Sequence, residues 1–130
     1  MSALLNLTPT VRIAVRNPFS RTRYPSEESA TAVIDTGYEG FLAIPNDIFA
    51  HIHLDELQQQ SRTLVLANGD IITSNGVFAI LEMPHLRIKL NGFIETYQGL
   101  EEMIVGVQAL SHFKSTLDYC SKKITLRPCT

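Results

Sequence analysis

Asp35 follows two β-branched apolar residues, Val33 and Ile34, and is followed by Thr36 and Gly37. The apolar run Thr31–Ile34 predicts a buried strand, and its end leaves a carboxylate at the margin of the core. A lone carboxylate in such a place is costly unless it is paired, hydrogen-bonded or protonated. Thr36 offers a hydroxyl, and Gly37 lets the backbone turn tightly and approach a ligand or another chain. The tripeptide therefore suits a carboxylate held stiffly on a turn, available for general acid–base work. The bland alternative is a turn between two strands in which Asp35 only accepts backbone hydrogen bonds. No other aspartate repeats the pattern, since Asp47, Asp55, Asp70 and Asp118 are followed by Ile, Glu, Ile and Tyr.

Other candidates offer less. His51 and His53 lie two residues apart, with His85 and His112 distant, and no Cys-x-x-Cys or His-Glu-x-x-His accompanies them. They read as structural or surface histidines, and no metal or cofactor is expected. Ser111-His112 lacks the context of a nucleophile elbow, and Glu101-Glu102 reads as a solvated turn. Cys120 and Cys129 are expected to be free thiols of a cytoplasmic chain, a disulfide or a catalytic role being the alternative. The net charge is −2, and the clusters Arg21–Arg23 and Lys122–Lys123 are too small to argue for nucleic acid. No apolar stretch approaches the roughly 20 residues needed to cross a bilayer, and Met1–Leu5 lacks the charged start of a signal peptide.

The elements that must position Asp35 are mostly strands. With 130 residues, 45% hydrophobic and 18% charged, the chain has room for one core, and residues 1–130 read as a single domain. Thr10–Val15 alternates Val11, Ile13 and Val15 with Arg12, Ala14 and Arg16, as a half-buried strand does. Asn17–Ser29 reads as an exposed loop or long hairpin end. Phe41–Ile44 is a short apolar run closed by Pro45, and Asn46 is expected to cap a helix from Asp47 to about His51. Leu54–Gln60 is compatible with helix or irregular chain. Thr63–Ala67, Ile71–Thr73, Val77–Met83, Leu86–Leu90 and Phe93–Tyr97 read as strands. Asn68-Gly69, Asn75-Gly76 and Asn91-Gly92 read as turns or bulges between them. Met103–Val105 is a buried run, Val107–Phe113 has the apolar spacing of a short helix, and Thr116–Tyr119 and Lys123–Leu126 close the chain as strands. This pattern predicts an all-β fold, closed or nearly so.

The segment Asp35-Thr36-Gly37-Tyr38-Glu39-Gly40-Phe41-Leu42-Ala43-Ile44-Pro45 resembles the active-site segment of the retropepsin-like aspartic proteases. Leu66-Ala67-Asn68-Gly69-Asp70 resembles the tip of that family's flap hairpin. Ile104-Val105-Gly106 and the helix after it are similar to the apolar-apolar-Gly element before the family's single helix. Leu117-Asp118-Tyr119 and Ile124-Thr125-Leu126 resemble its closing strands. Order and spacing fit from about residue 31 to residue 126, and the closest likeness is to small single-motif bacterial members. Two features depart from the retroviral pattern. Gly106-Val107-Gln108 stands where an arginine usually follows the glycine and ties the helix to an acidic residue, and the flap tip has one glycine.

The resemblance implies a small closed acid-protease barrel with one short C-terminal helix. It implies an aspartic endopeptidase, a homodimer hydrolysing peptide or protein substrates without a cofactor. Asp35 would be catalytic, Thr36 and Gly37 would support it, and Ala67, Asn68, Gly69, Asp70 and Glu39 would bind substrate at the flap and cleft. In the family the chain ends pair between subunits, so Leu4, Leu5, Leu7, Ile124 and Leu126 are expected at the dimer contact; the alternative is that Leu4–Leu7 tucks against its own barrel. Two other functions stay open: an inactive protease-like dimerisation or peptide-binding module, and an unrelated small β-barrel binding module.

Overall fold

The computed structural model describes residues 3–5 and 8–129. Eleven strands account for most of it: β1 (Ala3–Leu5), β2 (Thr8–Arg16), β3 (Arg23–Tyr24), β4 (Ala30–Ile34), β5 (Leu42–Ala43), β6 (Gln60–Val65), β7 (Ile71–Met83), β8 (Ile88–Thr96), β9 (Ile104–Val105), β10 (Phe113–Asp118) and β11 (Lys123–Pro128). Two short helices, α1 (Asn46–His51) and α2 (Val107–Leu110), interrupt them.

Six strands close a barrel. β2 pairs with β4, β4 with β9, β9 with β5, β5 with β8, β8 with β7, and β7 returns to β2. Closure leaves no free edge within that ring. Val11, Ile13 and Val15 of β2 point inward as their alternation predicts. Ala14 is buried too, because β2 is covered on its other side as well and a methyl group fits there. Ile13, Leu42, Ile44, Leu81, Met83 and Ile94 are completely enclosed. Phe49 of α1, with Ile52 and Leu54 just after it, plugs the same core.

The barrel brings a parallel pair beside Asp35. β4 and β9 run parallel with Val33 opposite Ile104 and Ile34 opposite Val105. β5 lies on the other side of β9. The chain from Asp35 to Phe41 therefore bridges two strands that flank β9 and passes its end. Gly106 sits in that crossing, where any Cβ would collide with the Gly40 carbonyl oxygen and the Tyr38 ring.

Several expectations need correction. Of the three Asn-Gly pairs, only Asn68-Gly69 makes a turn, with Gly69 at φ +92°. Asn75-Gly76 lies inside the thirteen-residue strand β7 and Asn91-Gly92 inside β8. A Cβ at Gly76 would come within 2.6 Å of the Phe93 ring, and one at Gly92 within 2.5 Å of the Phe41 ring. These glycines leave room for rings lying flat on the sheet. The turn between β7 and β8 falls at Pro84–Leu86 instead, with Arg87 in the left-handed region at φ 56°. The last helix is Val107–Leu110 alone, and Phe113 already belongs to β10, its ring buried. Asn46 does not cap α1; its Oδ1 accepts a 2.8 Å bond from the Thr96 hydroxyl. Within the Asn17–Ser29 loop, β3 pairs back onto β2, as in a hairpin end.

Within the single chain, strands at both ends find partners. β1 pairs antiparallel with β2 of its own chain, Ala3 opposite Thr10 and Leu5 opposite Thr8. β11 pairs with β10, and Ile124 and Leu126 are buried in their own core. Leu7 lies outside the described residues. The alternative of a self-docked N-terminus holds for the backbone of Ala3–Leu5, because the adjacent β2 offers that strand a partner at once.

Candidate active site

Asp35 begins where β4 ends. Its N–H donates to the Val105 carbonyl at 3.0 Å, so the residue is fixed to β9. Its Oδ1 accepts the Gly37 N–H at 2.8 Å, and its carbonyl accepts the Tyr38 N–H at 3.2 Å. Two hydrogen bonds thus define the turn. Asp35, Thr36 and Gly37 are all exposed in the single chain. The helix-side arginine of the resembling pattern is absent, and backbone bonds replace it. Gly106, Val107 and Gln108 donate to the carbonyls of Phe41, Tyr38 and Gly40 at 2.9–3.0 Å.

A cleft of about 450 Å³ opens at Asp35. Gly37 and Glu39 line it on the loop side, Leu64, Leu66 and Ala67 on the hairpin side, and Tyr97 at the end of β8. The hairpin is β6 and β7 joined by residues 66–70, with Leu66 N–H bonded to the Asp70 carbonyl at 2.8 Å. Residues 64–67 of this hairpin line the same cleft as Asp35. Of the residues expected in the site, Asp35, Gly37, Glu39 and Ala67 share the cleft. Thr36 lies beside it on the Asp35 turn, and Asn68, Gly69 and Asp70 form the hairpin tip without lining the cleft of a single chain. The hairpin carries Val65 and Ile71 opposite one another, 71% and 72% exposed. Two apolar side chains so placed are available to a peptide or to a second chain.

Beside the cleft lies a buried charge that the sequence did not announce. Glu95 is wholly enclosed. Arg62 of β6 donates to its two carboxylate oxygens, 2.8 Å each, from Nε and Nη2. Ser74 donates to Oε1 at 2.5 Å, and the Tyr38 hydroxyl donates to Oε2. Burial pushes the Glu95 carboxyl up, but the bonds from Arg62, Ser74 and Tyr38 outweigh it and hold the group below the usual carboxylate range. Burial, then the bond to Glu95, pushes the Tyr38 phenol far above its ordinary value. Tyr97 is also raised, by burial first and then by Glu95 and Asp35. A lone glutamate inside Phe93–Tyr97 was the available signal, since a carboxylate amid apolar residues needs buried partners.

Across the barrel, Glu82 accepts from Arg16 at 2.7 Å and Arg23 at 2.9 Å. Burial raises its carboxyl, and those two arginines more than reverse the effect. Both glutamates thus titrate lower in the native chain than in the unfolded one. Their contribution is complete above the unfolded value of about 4.3 and is lost as pH falls towards the native values. Thermal melting should give a Tm level from pH 7 to 5 and falling below about pH 4.3, with Glu95→Gln showing a shallower acid limb.

Among the described residues no helix is long and apolar enough to cross a membrane. The chain is 41% identical over 125 residues to an uncharacterized protein of Archaeoglobus fulgidus, covering 96% of this chain and 98% of that protein. The crystal structure of the retroviral protease-like domain of Ddi1 from Leishmania major matches it with a TM-score of 0.53 and 12% identity. That match covers 92% of this chain and 87% of the other. No family model matches the sequence. At such low identity the second likeness is one of fold, and the fold is a small all-β barrel of the retropepsin-like class.

Proposed function

This chain belongs to one family with the Archaeoglobus fulgidus protein, and we propose that it is an aspartic endopeptidase acting as a homodimer. The observation that carries the reading is the setting of Asp35. An exposed carboxylate, pinned at Oδ1 by the Gly37 amide, lies at the floor of a cleft under a hairpin, in a retropepsin-like barrel. Its second carboxylate is Asp35 of another copy, brought face to face by a twofold axis. Two carboxyl groups that close cannot both be ionised, so the pair holds one proton. The ionised member takes a proton from water, which attacks the peptide carbonyl while the protonated member donates to the developing oxyanion. The titration belongs to the pair.

The substrate is an extended peptide held between the Asp35 loop and the hairpin. Leu64, Leu66 and Ala43 favour apolar side chains next to the scissile bond. Glu39 and the hairpin tip 67–70 supply the polar contacts at its margin.

Sedimentation of the chain at micromolar concentration should give a mass near twice 14.5 kDa, and cleavage of an apolar peptide library should follow a bell on the acid side of neutrality. A monomer that cleaves, or a rate climbing steadily through pH 9, would sink the reading. A dimer that binds peptides without cleaving them would support the peptide-binding module instead.

A further inference from the structure

Glu95 takes no part in the hydrolysis just described, yet its enclosed carboxylate gathers donors from three segments. Arg62 and Ser74 are direct partners across the hairpin, so the carboxylate grips both strands at one rung. Tyr38 stands three residues after Asp35 on the loop that forms the opposite wall of the cleft. Gly40 leaves the space these groups need, since a Cβ there would collide with the Tyr38 hydroxyl and lie 2.8 Å from Arg62 Nη2. Among the described residues no comparable side-chain cluster holds the hairpin beyond the rung, and Val65 and Ile71 stand largely in the open.

We propose that Glu95 is a positioning residue that couples the hairpin over the cleft to the loop carrying Asp35, confining movement of the hairpin to residues 63–73. The inference rests on the peptidase reading only in taking those two walls as the substrate cleft. A bidentate arginine on an enclosed carboxylate is expensive to part, because separation leaves the carboxylate buried with fewer donors. The tip, held by its own turn, carries no such cost. Opening therefore bends the hairpin above Arg62 and Ser74 while the rung stays in register with the catalytic turn.

Amide hydrogen exchange tests this without requiring activity. Tyr38→Phe and Arg62→Met should be compared with Leu126→Ala, a core change in β11 away from the cluster, under conditions that equalise global stability. In Arg62→Met, exchange of the Gly37 and Tyr38 amides should rise about tenfold, although the substitution is on the hairpin. In Tyr38→Phe, exchange at residues 60–62 and 74–76 should rise similarly, although the substitution is on the loop. Leu126→Ala should move neither. If each substitution loosens only its own segment, or if the control does the same, the coupling is wrong. With a cleaved peptide, both variants should lose kcat/KM mainly through KM, and a loss confined to kcat would also count against the coupling. If the parent chain cleaves nothing, the peptidase reading falls and the exchange comparison still decides this one.

Discussion

Asp35→Asn should lower peptide cleavage by about three orders of magnitude or more while leaving the barrel folded. The amide keeps the size of the carboxyl and can still accept the Gly37 N–H, the bond seen at 2.8 Å on Oδ1. It cannot carry the shared proton or accept one from water, and in a twofold dimer a single substitution removes both carboxylates at once. General acid and general base are lost together, which places the effect at the upper end for such catalysis. Asp35 and its two neighbours are exposed, so little stability is at stake, and Tm should move by no more than about 2 °C. Initial rates on a peptide cleaved by the parent, alongside a melting curve, check both halves. Undiminished cleavage would remove Asp35 from the chemistry.

Glu95→Ala should be the most damaging single change to the fold near the cleft. It strips Arg62, Tyr38 and Ser74 of their common acceptor and leaves a cavity where the side chain was. Removing one partner of a buried pair costs about 3–5 kcal/mol. The Arg62 side chain is 35% exposed and can turn to water, which favours the lower figure, about 3 kcal/mol. For a chain of this size that corresponds to a fall in Tm of roughly 10 °C. Replacement of exposed Glu39 should change Tm by about 1 °C at most. If the two substitutions melt alike, the cluster contributes nothing of consequence.

The residues around Asp35 were legible because their chemistry is local. A β-branched pair, a carboxylate and a glycine in series dictate a strand end and a turn, and both are found. The hairpin tip at Asn68-Gly69 was legible for the same reason. The other two Asn-Gly pairs carry the same local signal and mean something else. Gly76 and Gly92 answer to Phe93 and Phe41, residues far along the chain whose rings need flat backbone beneath them. Glu95 was illegible in another way. Its partners lie 57, 33 and 21 residues distant, so the run Phe93–Tyr97 signals a carboxylate in need of partners without showing which residues supply them. The N-terminal strand shows the third limit. Apolar Leu4 and Leu5 ask for a partner strand, and only topology decides that β2 of the same chain supplies one.

In the proposed homodimer, β1 already has β2 of its own chain as a partner. The exposed Asp35 turn and the apolar Val65 and Ile71 of the hairpin become the surfaces a second copy would meet. Leu117 and Tyr119, 43% and 53% exposed beside the last hairpin, add to them. Whether two chains build one catalytic site is read most directly from stoichiometry. A statine-type transition-state analogue should be titrated calorimetrically into the protein at pH 5, with Asp35→Asn as the control. One inhibitor bound per two chains, with binding lost in the control, is the predicted result. One inhibitor per chain, or equal binding to Asp35→Asn, would contradict a site made of two Asp35 carboxylates.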